Sequence, residues 1–581
     1  MRRTSIYFLM LLLWGCASAP ASTKKTGGHK DFPSPAELDE LATASLVRSE
    51  RAYDRKVVPE WTLERPLSDV ISYRVREASG PLEQVLLAQA EERRAKAPRI
   101  SEGASCHARQ LGLFYLEHEQ YPHNGLQSFM SSRCGMATVK PFATTWDVTR
   151  DDDESPIMDA AALAKRLEGP IKRVLTGHIA SGKSYELGIW EGERQGKRIV
   201  VLVVERRYVD LEPINAQAPE DGVVVLRGES LHERWDSVAA AFTVGEFEHG
   251  RCEAEEGVKA PKFVLRCKLN RGDRDARLDL WGSNEGRVLA NGISDLVLWP
   301  QIKPEDTYRA PLARALLREV KLDEDAPLLE QALALVNHVR ASGGLVPLRA
   351  SREQSVALGK LVPHFFEADD TIEGDKLKDR LALGFMAGWE IAEPVLSGSF
   401  GTGAVQRRDL VQWLTSMLEG SSGRRTLLSP EHGILALGVY AQGDAYSFLA
   451  VTYNTPPPYE AYGTQLARLS KLLQRARAEA GVPGLVWDRR PEMSEDIVRE
   501  IEADEISWPD ARREFAVRAV TKGNYKREYL WLTSSLEHGR AFVPPALLSK
   551  DIRHIDALVV VKPWDAGHPW SVYVIYMLLD N

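Results

Sequence analysis

The sequence predicts a multidomain α/β protein, with three copies of one α/β unit and a small β-sandwich or barrel module inserted after the first. Three observations point there. Residues 335–348, LVNHVRASGGLVPL, return 137 residues later as 472–485, LLQRARAEAGVPGL, so that Arg340 falls on Arg477, Gly344 on Gly481 and Leu348 on Leu485. A second block, WLTSMLE at 413–419, returns as WLTSSLE at 531–537; each is followed by a Leu-Leu-Ser (Leu427-Leu428-Ser429, Leu547-Leu548-Ser549) and then an apolar strand. The blocks keep their order, which is the signature of a repeated domain, here of roughly 125 residues. Finally, residues 76–207 read helix, helix, helix, strand, strand, the order of the later copies, whereas 208–300 read as short strands between polar turns.

At 581 residues the chain is too long for one hydrophobic core and calls for three or four domains. The net charge is -8 with both signs spread along the chain, and no basic tract or nucleic-acid motif stands out, which argues against a nucleic-acid partner. The segments divide as signal 1–16, tether and lead-in 17–75, first unit 76–207, β-rich module 208–300, second unit 301–455 and third unit 456–581.

Taken in order, Arg2 and Arg3 precede a short apolar run, residues 6–14, that ends in Leu13-Trp14-Gly15-Cys16. The run is too short for an ordinary membrane span and reads as an export signal. Its end resembles the lipobox of bacterial lipoproteins. That resemblance implies cleavage before Cys16, lipidation of its thiol (palmitate among the chains), and sorting to the outer membrane of a two-membraned bacterium, because Ala17 rather than an aspartate follows. A plain secretory signal cut near Ala17 or Ala19 is the other reading, and export follows from both. Residues 19–34, rich in Ser, Thr, Gly, Lys and Pro, read as a flexible tether. Four cysteines then remain: Cys106, Cys134, Cys252 and Cys267. An exported chain can oxidise them, and the local pairing of Cys106 with Cys134 and Cys252 with Cys267 keeps each bridge inside one predicted unit. The zinc alternative lacks any Cys-x2-Cys spacing.

Residues 36–49 carry a short helical pattern. Helices are predicted over 81–96, where Leu82, Val85, Leu86 and Ala90 share a face, over 105–119, and over 161–167, stopped by Gly169 and Pro170. Strands follow at 184–190 and 198–204 around a turn at 192–196. In the β-rich module the strands are 223–227, 263–267, 276–281 and 296–299; Arg271-Gly272-Asp273 falls in a turn and is read as a turn triplet rather than an adhesion signal. Residues 304–323 read as helix plus linker. The second unit offers helices at 328–340, 353–366, 377–389 and 410–419, then strands at 434–440 and 446–453. The third offers helices at 462–479, 493–503, 509–520 and 529–536, then strands at 557–562 and 571–579.

This pattern resembles the CAP superfamily, also called SCP/TAPS or cysteine-rich secretory domains. Asn337, Arg340 and Gly344-Leu345-Val346-Pro347-Leu348 match its opening helix and turn; Trp413 and Ser416 match its tryptophan region, and residues 430–440 its descent into the central strand. In the third copy Arg477, Trp531 and Gly484-Leu485-Val486-Trp487-Asp488 carry the likeness, the last with a three-residue insertion relative to the second copy. The resemblance implies three α-β-α sandwiches. It also implies a cleft of histidines and acidic residues holding a divalent metal such as zinc; carried over residue by residue, that cleft is His364, Glu393 and His432, while the family's His-x-x-x-Met and Gly-Glu-Asn patterns are missing. The bland alternative makes His364 a half-buried helix residue and His432 the end of a turn. In the first copy Glu117, His118, Glu119 and His123 form the densest polar cluster. The string Gly177 to Ser184 fits GxxxxGK[ST], yet a strand, not a helix, is predicted after it, contrary to a phosphate loop. No Gly-x-Ser-x-Gly elbow is present.

Two classes of function follow. One is an envelope lipoprotein that acts without catalysis, as a binding or scaffold protein for another envelope protein or cell-wall glycan; no cofactor is expected for it, and Trp564 and Trp570 are candidate contact residues. The other is a metal-assisted hydrolase of peptide or glycan, which requires His364, Glu393 and His432 to converge around an open coordination position.

Overall fold

The computed structural model describes residues 55–367 apart from short stretches (57, 97, 138–140, 150–157, 233–234, 256, 270–273, 284–290, 301, 312–315, 317–318 and 322–325). It then describes 404–406, 414, 417–418, 421–453 apart from 431 and 443–444, and 462–580 apart from 488–490, 504, 521–524, 534, 537–540, 542 and 564–570. The signal, Cys16, the helical pattern at 36–49, the Arg-Gly-Asp triplet, the helix at 377–389, Glu393, Trp564 and Trp570 lie outside the described residues.

The chain forms a multidomain mixed α/β architecture, and three of its sheets share one strand order. In the first unit, α1 (Pro81–Glu92) leads to a short β1 (Arg99–Ser101), then α2 (Glu102–His118), α3 (Asn124–Arg133), β2 (Phe142–Asp147), α4 (Ala160–His178) and a hairpin of β3 (Tyr185–Arg194) and β4 (Lys197–Arg206). The sheet runs β1-β3-β4-β2, with a two-residue strand, Val75–Arg76, added outside β1. β1 is parallel to β3, and the other pairs are antiparallel. Its α2 face buries Ala104, Leu111 and Phe114 against Val201 and Val203, and its other face buries Leu86, Leu167 and Ile171 against Leu187 and Leu202. The hairpin turn is tighter than the sequence suggests. The strands run on through Glu193 and Arg194, and only Gln195 and Gly196 turn, at φ 53° and 80°. Two consecutive left-handed residues make the turn whose twist suits a hairpin.

Helix α4 corrects a second expectation, since it continues through Gly169 and Pro170 to His178. The proline costs one backbone hydrogen bond. Leu163, Leu167, Ile171 and Leu175, all buried, keep one apolar stripe across it, and that burial prevails.

The β-rich module is a partial curled sheet, a half-barrel. Four strands order as β5-β7-β11-β10 and five as β6-β13-β12-β8-β9, where β5 is Val209–Leu211, β6 Gln217–Ala218, β7 Val223–Ser230, β8 Ser237–Val244, β9 Glu248–Arg251, β10 Glu253–Ala254, β11 Lys262–Lys268, β12 Ala276–Ser283 and β13 Asn291–Pro300. Leu226, Phe242, Leu265, Leu278 and Leu296 from both sets meet in one core. Strand β8, SVAAAFTV, escapes a sequence reading because its alanines favour helix; cross-strand pairing with β12 decides otherwise. Residues 304–323 are not helical at their start: Thr307–Arg309 is a strand paired with Glu60–Thr62.

The second unit contains α5 (Leu328–Ser342), β14 (Arg349–Ala350), α6 (Arg352–Glu367), β15 (Ala404–Gln406), α7 (Ser421–Leu428), β16 (Ile434–Gln442) and β17 (Ala445–Tyr453), in sheet order β14-β16-β17-β15. The third contains α8 (Tyr462–Glu479), β18 (Val486–Trp487), α9 (Pro491–Glu502), α10 (Trp508–Val520), β19 (Arg527–Thr533), β20 (His554–Pro563) and β21 (Ser571–Leu579), in order β18-β20-β21-β19. Each repeats the first unit's order and directions. Residues 529–536, expected as helix, are therefore corrected: β19 runs antiparallel to β21, with Trp531 and Thr533 buried and Leu532 less so, a period of two. Trp531, Leu532 and Thr533 of WLTSSLE are thus strand, whereas Leu414, Met417 and Leu418 of WLTSMLE are helical, so those matching letters do not mark matching places.

Both local disulfides are present, Cys106–Cys134 joining α2 to the end of α3 and Cys252–Cys267 joining β11 to the residue before β10. They span 28 and 15 residues. Loop-closure entropy predicts that replacing Cys252 and Cys267 together by serine destabilises the module by about 3 kcal/mol, and Cys106 with Cys134 by slightly more. Thermal unfolding with and without reductant checks this; an unchanged midpoint would contradict it.

Candidate functional site

The recurring position in the fold is where the first helix of a unit ends, the chain reverses and β16 or β20 begins. In the second unit α5 stops at Gly343-Gly344, with Gly344 at φ 68° and its N–H donating to Ala341 O at 3.0 Å. A left-handed residue here is easy for glycine. Asn337 then grips the returning chain twice, donating Nδ2 to Leu348 O at 2.9 Å and accepting from Leu348 N at 2.7 Å. Arg340 is fully buried. It donates Nε to Val346 O at 2.8 Å and Nη1 to Leu427 O and Ser429 O at 2.8 and 2.9 Å, and its Nη2 reaches His432 O at 3.4 Å.

The third unit rebuilds the arginine part of this clamp donor for donor. Arg477, also fully buried, donates Nε to Pro483 O at 2.6 Å, Nη1 to Leu547 O and Ser549 O at 2.7 and 3.0 Å, and Nη2 to Ile552 O at 2.9 Å. Gln474 takes the place of Asn337, donating Nε2 to Leu485 O at 2.6 Å. Gly481 has φ 65° where Gly344 has 68°. The two copies thus pair without a gap through the turn, Val346 with Pro483 and Leu348 with Leu485, and the three-residue insertion set against Gly484 is corrected. Both Leu-Leu-Ser segments are clamp acceptors. Burial lowers the pKa of Arg477 below the usual guanidinium range. Counting back nine residues from the first residue of β18, β14 and β1 gives Arg477, Arg340 and, in the first unit, Ala90, while the left-handed position is kept there by Arg94 at φ 58°.

His432 follows the clamp in the chain. It is 1% exposed, and its Nδ1 lies 2.7 Å from Thr452 Oγ1, which itself donates to Thr426 O at 2.6 Å. The threonine proton is thereby committed, so Nδ1 carries the imidazole hydrogen and Nε2 is the basic nitrogen. Burial, then the charges of Arg340, Arg425 and Arg251, lower its pKa to about 3. His364 lies on α6, where only its backbone is described, and Glu393 lies outside the described residues. The described part of the expected cleft is therefore a neutral, core-packed histidine. Among the described residues no three His, Cys, Asp or Glu side chains group as a metal site.

The first unit's polar cluster disperses. Glu117 pairs with Arg194 and Glu119 with Lys197, each at 2.7 Å. His118 packs on Trp61 and Phe114, and His123 caps α3, accepting from Leu126 N at 3.4 Å. The string from Gly177 to Ser184 begins in the last turn of α4 and leads into β3, the reverse of a phosphate loop, and Gly182 N is spent on Arg94 O at 2.8 Å. Missed from the sequence are Glu186 and Glu205, buried and directly opposite each other on β3 and β4. Ser101 Oγ donates to Glu186 at 2.7 Å, and burial raises the Glu186 pKa. Only the hairpin register sets these two residues opposite each other.

No family model matches this chain, and no curated protein matches it.

Proposed function

We propose that this chain is an exported envelope protein, anchored through lipid on Cys16, that serves as a non-enzymatic binding or scaffold protein built from three degenerate CAP-like α-β-α units and a small β-sandwich or barrel. The supporting observation is that the three units repeat their topology, and two of them a structural arginine clamp, while the polar residues at their matching hairpin positions differ. The hairpin residue aligned with the first residue of β1, β14 and β18 is Glu186, Ile434 and His554 in turn. Across the hairpin, Glu186 faces Glu205, Ile434 faces Tyr453, and the His554 N–H donates to Asp580 at 2.5 Å. A fold kept while its polar positions diverge suits surfaces rather than one repeated reaction. Among the described residues no helix is long and apolar enough to cross a membrane; in this reading the lipid on Cys16 is the attachment.

The test is fractionation of cells expressing the full chain or Cys16→Ser, with radiolabelled palmitate. The expected result is label and membrane recovery for the parent and loss of both for the variant. Equal membrane recovery without label would contradict the anchor.

A further inference from the structure

Helix α4 carries a charge pattern that the proposed scaffold does not use. Leu163, Ala164, Leu167, Ile171 and Leu175 point into the first unit, and Lys165, Arg166, Lys172 and Arg173 sit on the opposite side, all exposed. At 100° per residue these four cations centre opposite the buried stripe. Between them the outward arc holds Ala162, Gly169 and Thr176, so no bulky side chain screens the charges. The neighbouring loop extends the patch: Gly182 N donates to Arg94 O and Lys96 N to Lys183 O, at 2.8 and 2.9 Å, which brings the exposed Arg94 and Lys96 beside the end of α4. These six cations face Glu91, Glu92 and Glu168, of which Glu92 pairs with Lys172 at 2.7 Å. The local surplus is +3 (six minus three), on a chain whose net charge is -8.

We propose that the outward face of α4 lies against a phosphate-bearing anionic bilayer surface. The inference deepens the proposed lipid anchoring by naming a second, protein contact to the same surface. The observations favour a bilayer over a folded acidic partner. The arc is convex, offers charge with small residues between, and presents no large apolar side chain to anchor a protein interface. Lysines and arginines near an anionic membrane each contribute roughly fivefold in affinity, and the attraction fades within a Debye length. Such contact is reversible, orients the first unit, and is released by salt.

The test removes the anchor so that the two readings fail separately. The purified full chain carrying Cys16→Ser is mixed with vesicles of phosphatidylcholine alone or with 30% phosphatidylglycerol, at low and high salt. Sedimentation should show binding only to the anionic vesicles, lost at high salt. Adding Lys165→Gln, Arg166→Gln, Lys172→Gln and Arg173→Gln should weaken binding by at least about tenfold with the thermal midpoint unchanged, because these side chains are exposed. Equal binding to both vesicle types, or no change in the fourfold variant, would overturn the proposal. So would retention on an immobilised acidic peptide without vesicle binding, which would assign the face to an acidic protein. None of these outcomes depends on lipid at Cys16.

Discussion

Arg477→Ala is expected to destabilise the third unit by roughly 3–5 kcal/mol. The side chain contributes little hydrophobic burial; its role is to satisfy the carbonyls of Pro483, Leu547, Ser549 and Ile552 in the interior. Truncation leaves the carbonyls of Pro483, Leu547 and Ile552 without this donor, Ser549 O keeping a long bond from Ile552 N at 3.4 Å, and each buried acceptor left without a donor costs about 1–3 kcal/mol before water enters. Arg340→Ala should act likewise in the second unit, with Val346, Leu427 and Ser429 as the orphaned carbonyls. Lysine cannot substitute, because a single ammonium lacks the planar fork that reaches three segments at once. Hydrogen exchange reads the result locally: protection should fall in α8 and in residues 545–553 for Arg477→Ala, with the first unit unaffected. Ala90 makes the first unit the internal control. Its α1 ends on the same left-handed turn with alanine, not arginine, at the clamp position, so Ala90→Arg should gain nothing. Unchanged exchange in the Arg477→Ala variant would show that the clamp is dispensable.

The second large effect is on acid stability. Burial holds His107 at about 3, burial with the charges of Arg425 and Arg424 holds His249 at about 4, and His432 lies at about 3. The ordinary value is 6.5, so in each case the unfolded chain takes up a proton that the folded chain refuses. The stabilisation is full above pH 6.5 and is lost as pH falls from there toward the folded values. Between pH 7 and pH 5 each histidine costs about 2 kcal/mol, on the order of 6 kcal/mol together if the three act independently. His107 lies in the first unit, apart from the other two, whereas His249 and His432 both feel Arg340 and Arg425, so their two contributions are coupled and the sum is an upper figure. Glu186 works in the opposite direction, because its raised pKa favours the folded form on acidification. Glu83 and Asp306, whose pKa values are lowered in the fold, add their loss only below the usual carboxylate range. Urea titrations at pH 7.5, 6 and 5 check this, with His249→Gln expected to flatten the slope. Stability that stays level from pH 7 to pH 5 would contradict the assignment of neutral buried histidines.

Most of the clamp was legible in the sequence and its purpose was not. Arg340 and Arg477 fall on one another by simple offset, and the Leu-Leu-Ser segments stand out beside them. That the arginines and the Leu-Leu-Ser segments are two sides of one contact depends on a chain reversal of some 70 to 90 residues, which no local pattern encodes. Gln474 differs from Asn337 in type, so the letters do not align, although one more methylene reaches the matching carbonyl, Leu485 O. The WLTS block marks different places in the two units: Leu414 is helical, whereas Trp531, Leu532 and Thr533 are strand, and tertiary pairing decides between them. Pro170 misled because a local rule against proline in helices yields to four buried apolar residues on one stripe. His432 was found as a residue, yet its burial and its bond to Thr452 come from β17, contributed from 20 residues away.

The scaffold reading is tested most directly by in-cell photo-crosslinking from exposed apolar positions of the three units. Val75, Val356, Val486 and Val517 stand 47%, 66%, 52% and 62% exposed and can carry a photoreactive residue without disturbing a core. The chain is expected to form discrete crosslinked species with envelope components, to lose them when Cys16 is replaced by serine, and to keep them in a His364→Ala, Glu393→Ala variant. Loss of the crosslinks in that double variant, accompanied by loss of peptide or glycan cleavage, would contradict the scaffold and make the second unit an enzyme.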